Sequence, residues 1–66
     1  MNIGEVIKDL REEKEFSMKQ LAEKLEVDIK SIWNWEHGIK EPKAYNIVKL
    51  ADLFGVSTDY LLGREK

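Results

Sequence analysis

Sixty-six residues, 42% apolar and 36% charged, are enough for one small domain and too few for a second. A chain of this length buries only about 60% of its unfolded surface, which excludes a large enclosed active site or a wide cofactor cradle. With no cysteine and a single histidine, His37, neither a disulfide framework nor a thiolate zinc site is available, and a net charge of −2 gives no general attraction for nucleic acid.

Strand patterning is nearly absent, and helical spacing recurs along the chain. Ile3, Ile7 and Leu10 predict a first helix from about Ile3 to Lys14. Ser17 followed by Gln20 reads as a capping box, opening a second helix over Met18 to Leu25 with Met18, Leu21, Ala22 and Leu25 on one face. Asp28 caps a third helix, Ile29 to His37, and Gly38 stops it. A loop with Lys40, Pro42 and Lys43 leads to a fourth helix, about Ala44 to Phe54, stopped by Gly55. Ser57 caps a last short helix through Leu62. The three-residue connection between the second and third helices suits a helix-turn-helix. A generic small helical bundle fits it too.

Apolar runs of two or three residues are too short to span a membrane. The first ten residues carry Glu5, Lys8 and Asp9 where a signal peptide needs an apolar stretch. A soluble, intracellular protein is expected. Residues 17–43 hold five acids and five bases, so any nucleic-acid contact must rest on local placement of charge.

The third helix has two readings. At about 100° per residue, Ile29, Lys30, Trp33, Asn34 and His37 share one half-cylinder, and Ser31, Ile32, Trp35 and Glu36 the other. Ile32 and Trp35 inward leaves the first set outside. A competing stripe, Ile29, Ile32, Trp33 and Glu36, also fits i, i+3, i+4, i+7 and offers an alternative core face.

Ser17 to Pro42 resembles the lambda-repressor and Cro-like (XRE) helix-turn-helix family. The likeness is carried by Leu21–Ala22–Glu23–Lys24–Leu25, Val27, Ile32, Trp35–Glu36–His37–Gly38 and Glu41–Pro42. Outside the motif it is carried by Leu10–Arg11–Glu12–Glu13–Lys14, Leu50–Ala51, Phe54–Gly55–Val56–Ser57 and Asp59–Tyr60–Leu61–Leu62–Gly63. The resemblance implies an all-α, compact five-helix lambda-repressor-like DNA-binding domain over residues 1–66, its helix-turn-helix at about 17–37. Three departures stand out. Glu15 and Glu26 occupy positions where glycine is common, so Glu26 is expected at positive φ. Met18 replaces a polar residue at the start of the second helix. The third helix opens Ile29–Lys30 instead of with polar or basic residues.

The resemblance favours Ile32 and Trp35 as the buried pair. It then assigns base reading to Ile29, Lys30, Trp33 and Asn34. Ile29 and Trp33 would meet thymine methyls or sugars, Lys30 a phosphate or guanine, and Asn34 an adenine. Phosphate contacts fall to Ser17, Lys19, Lys40 and Lys43, with His37 and Asn46 as weaker candidates. Taken singly, each lysine reads equally well as a solvated charge. Glu36, on the inward side, needs a partner, and the resemblance supplies Arg11 as a structural ion pair.

The implied function is a sequence-specific DNA-binding transcriptional regulator, a repressor or switch, cytoplasmic and bacterial or phage-encoded. Its implied partner is double-stranded DNA, a near-palindromic operator bound by a homodimer, with no membrane and no cofactor. Tyr60 to Lys66 supply the dimer contact, or Tyr60, Leu61 and Leu62 merely close the monomer core, which Leu61 is expected to do in either case. An enzyme is not expected: there is no cysteine nucleophile, no serine–acid pair for His37 and no glycine-rich phosphate loop. The paired carboxylates Glu5–Asp9 and Glu12–Glu13 read as solvated charges. The competing reading is a protein-interaction module or antitoxin component using the Ile29/Trp33 surface.

Overall fold

In a computed structural model, residues 2–64 are described. Among them the order is α1 (Ile3–Glu13), α2 (Met18–Leu25), α3 (Ile29–Glu36), α4 (Ala44–Phe54) and α5 (Thr58–Leu61), with no strand. Lys14, His37 and Leu62, expected as last helical residues, are the C-caps instead. Frayed last turns account for a one-residue difference.

Local hydrogen bonds explain where the helices begin. The Asn2 side chain accepts from the Glu5 N–H at 2.9 Å. Ser17 and Gln20 form the reciprocal capping box, at 3.0 and 2.8 Å. Asp28 accepts from the Lys30 N–H at 2.8 Å, and Ser57 from the Tyr60 N–H at 2.9 Å. Only α4 starts without a side-chain cap, on Lys43.

The helix ends follow one pattern. After α1 the Phe16 N–H reaches the Arg11 carbonyl, and after α2 the Val27 N–H reaches that of Ala22, both at 3.0 Å. After α3 the Ile39 N–H reaches the Asn34 carbonyl at 2.9 Å. These six-to-one bonds are Schellman closures, which need a left-handed residue just past the helix. Gly38 fills that position after α3, at φ 70°. After α1 and α2 it is filled by Glu15 and Glu26, each at φ 59°. The strain expected at Glu26 is therefore present, and Glu15 shares it.

Five apolar faces close on one core. It comprises Val6, Ile7 and Leu10 of α1, Leu21, Ala22 and Leu25 of α2, and Ile32 and Trp35 of α3. Leu50, Ala51 and Phe54 of α4 and Leu61 of α5 complete it. Met18 is half-buried and packs against this core, so it contributes to packing and not to an open binding face. Leu61 closes the core as expected, while Tyr60 and Leu62 are exposed. Glu65 and Lys66, the end of the segment considered for dimer contact, lie outside the described residues. No helix among the described residues is long and apolar enough to cross a membrane.

Candidate nucleic-acid interface

The orientation of α3 sets the site. Trp35 is 5% exposed and Ile32 is fully buried, whereas Ile29 and Trp33 are 47% and 45% exposed. The Ile29–Ile32–Trp33–Glu36 stripe is therefore not the core face.

Two contacts with α1 hold α3 in this rotation. The first is an ion pair. Arg11 Nε donates to Glu36 Oε2 at 2.7 Å and Nη2 to Oε1 at 3.1 Å, a bidentate fork. The third guanidinium nitrogen, Nη1, donates to the Phe16 carbonyl at 2.9 Å. The Glu36 side chain is only 1% exposed. Its hydrogen bond, and then its charge together with that of Glu12, raise the Arg11 pKa above its ordinary value, against the lowering effect of burial. The second contact is Gly4. A Cβ there would lie 2.2 Å from the Trp35 carbonyl oxygen and 3.1 Å from that of Glu36. The first turn of α1 thus rests directly on the last turn of α3, at a distance only glycine allows. Nothing in the local pattern around Gly4 marks it, since its constraint comes from a helix over thirty residues away.

A third clamp joins the turn to α4. Lys49 Nζ donates to the Leu25 carbonyl, one of the unpaired acceptors at the end of α2. Lys24 Nζ also sits 5.0 Å above the Phe16 ring, a cation–π contact that packs the loop after α1 onto α2. Lys49 was invisible to periodicity, because a half-exposed lysine reads as solvated.

On the outward side of α3, Ile29, Lys30 and Trp33 are exposed and Asn34 is half-buried. His37 joins them: its ring stacks on the Trp33 indole, centroids 3.9 Å apart and planes 17° apart. Lys40 is tied to the same end of α3 through its N–H, 3.4 Å from the Asn34 carbonyl. Ser17 and Lys19 are exposed at the N-terminus of α2, and Lys43 at the N-terminus of α4. The Ser17 Oγ accepts within the capping box, which leaves its proton to donate.

The structure corrects the placement of Asn46: it is only 5% exposed, and among the described residues its Oδ1 has no hydrogen-bond partner. It sits one turn before Leu50 on the inward face of α4, which withdraws it from the phosphate candidates.

The chain belongs to the helix-turn-helix domain family, which matches residues 4–65. Over all 66 residues it is 35% identical to the HTH-type transcriptional regulator ImmR of Bacillus subtilis (strain 168), covering 52% of that protein. The P22 c2 repressor, solved in complex with synthetic operator 9T, superposes with a TM-score of 0.91 at 28% identity, over 98% of each chain. SinR, a master regulator for biofilm formation solved in complex with DNA, superposes at 0.82 and 32% identity, over 89% of this chain and 95% of that one. The architecture is lambda-repressor-like, all-α and five-helical. The chain spans about half the length of the curated relatives it matches.

Proposed function

We propose that this chain is the sequence-specific DNA-binding domain of a transcriptional regulator, a repressor or genetic switch, with α3 in the major groove. The observation that carries the reading is the outward face of α3. It exposes Ile29, Lys30 and Trp33 beside Asn34, while Trp35, Arg11 and Glu36 hold the opposite face inside. The repressor–operator and SinR–DNA structures, with which the fold superposes, support a DNA partner.

In this reading residues 1–66 act as one domain, with the helix-turn-helix at about 17–37. Lys30 and Asn34 read base edges by hydrogen bonds, and Ile29 and Trp33 by apolar contact. Ser17, Lys19, Lys40 and Lys43 contact phosphates, and those contacts set the register on the duplex. The uncapped N–H groups of α4 reinforce Lys43. One short helix reads only a few base pairs, so two copies act on a near-palindromic operator with half-sites about 34 Å apart or a multiple of that. In this reading the domain binds without a cofactor, is not an enzyme, and works in the cytoplasm as a bacterial or phage-encoded protein.

Selection of duplexes from a random pool, followed by gel-shift titration, tests this. A specific duplex should emerge, and Lys30→Ala with Asn34→Ala should weaken it about 100-fold, two base-reading contacts at roughly 1–3 kcal/mol each. Circular dichroism should show the fold unchanged. The exposed apolar pair Ile29 and Trp33 favours the second reading, a protein-interaction module or antitoxin component. That reading is established if no duplex is enriched at low salt and a partner protein co-purifies through this face.

A further inference from the structure

The least accounted-for feature of the α3 surface is the ring pair at its end. Trp33 and His37 are one turn apart, and side chains on a helix lean toward its N-terminus. His37 therefore leans onto Trp33, and Ile29, exposed one turn before Trp33, lies on the same face of α3. The imidazole is pinned. Its Nδ1 lies 2.8 Å from the Trp33 carbonyl oxygen. A carbonyl only accepts, so Nδ1 carries a proton. The same oxygen takes the His37 backbone N–H at 3.0 Å, which fills both of its lone pairs. In the neutral ring this arrangement leaves Nε2 as an acceptor. An acceptor does not bind a phosphate oxygen, so the phosphate contact considered for His37 requires the imidazolium. What the neutral ring does instead is hold one face of the indole.

Resting on the DNA-binding reading above, we propose that His37 is a positioning residue that holds the Trp33 indole along α3, so that Ile29 and Trp33 form an apolar ridge selecting thymine by its 5-methyl group. A large side chain with a half-exposed surface would otherwise spread over several rotamers, and ordering it on DNA would cost entropy. With the stack formed, the ordering is done before binding. One buried methyl is worth about a four-fold change in affinity at roughly 0.8 kcal/mol.

The test uses the full chain and the duplex selected above, with each thymine replaced in turn by deoxyuridine, which removes only the methyl. For the unmodified protein, at least one replacement should weaken binding about four-fold. Trp33→Ala should abolish that penalty at that position. His37→Ala should bring it below two-fold, and His37→Phe, a ring that stacks but neither charges nor donates, should restore it. In the free protein, proton NMR should show the His37 ring resonances shifted upfield by the indole, and the shift should vanish in Trp33→Ala. Thymine and deoxyuridine duplexes bound equally by the unmodified protein overturn the proposal and leave the DNA reading standing. So does a His37→Ala loss that is the same for both duplexes and is not rescued by phenylalanine, since that is the behaviour of a phosphate contact. A chain that binds no duplex overturns both.

Discussion

Glu36 shows how one buried charge depends on its surroundings. Taking a carboxylate out of water is costly unless its hydrogen bonds and a countercharge are supplied. Arg11 supplies both through a bidentate fork, while its remaining nitrogen closes the loop at Phe16. Glu36→Ala leaves the guanidinium without its partner, and chemical denaturation should show a loss of about 3–5 kcal/mol. For 66 residues a total stability of roughly 3–10 kcal/mol is usual, so most of the fold's margin would go. The two left-handed glutamates work in the opposite direction. An L-residue in that region costs about 1–2 kcal/mol, and glycine returns part of the gain through its unfolded-state entropy. Glu15→Gly and Glu26→Gly should each add about 0.5–1 kcal/mol of stability, seen as a higher denaturation midpoint at constant m-value. A lower midpoint in either would show that the carboxylate side chain contributes more than the strain costs.

Contacts between elements decide how α3 is presented. Gly4 brings α1 against the carbonyls of Trp35 and Glu36, so a methyl there must push the two helices apart. Gly4→Ala should cost about 2–3 kcal/mol, read as a fall of roughly 10 °C or more in thermal midpoint. It should weaken DNA binding even where the protein stays folded, because the reading helix is displaced. The start of α4 offers a prediction in which stability and binding separate. Lys43 is the N-cap and makes no side-chain cap bond. Lys43→Ser supplies one and should add about 1 kcal/mol of stability. If Lys43 contacts a phosphate, the same change weakens DNA binding. Unchanged affinity would show that Lys43 is a solvated charge.

At the scale of the molecule, electrostatics set the character of binding. The chain measures about 30 × 23 × 20 Å and carries a net charge of −2. On the proposed reading, attraction to DNA comes from a few placed cations, and non-specific binding should be weak. If Lys19, Lys40 and Lys43 contact phosphates as proposed, they neutralise about three per domain, and log K against log salt should fall with a slope of roughly −3. Two domains on a palindrome should double it. Alanine at any one of the three should reduce the slope by about 0.9 per domain. A slope near zero would remove the phosphate assignments together.

Sequence alone determined where the helices lie. Ser17, Asp28 and Ser57 cap, Gly38 and Gly55 stop, and all of these act over a few residues of chain, while the Asn2 cap of α1 became visible only in the structure. It also placed the Arg11–Glu36 pair, because the family resemblance ties those two positions together. Tertiary structure decided which face of α3 turned inward. Either face offers an indole and an isoleucine to the core, so periodicity by itself leaves the alternative open, and it is the family resemblance that favours Ile32 with Trp35. The observed choice is held by α1, whose Arg11 pairs with Glu36 and whose Gly4 packs against the Trp35 carbonyl. The burial of Asn46, the Lys49 clamp and the imidazole against Trp33 likewise arose from packing. The physical reason is range. Caps and turns are settled by neighbours along the chain, whereas burial is settled by whatever other helix fills the space.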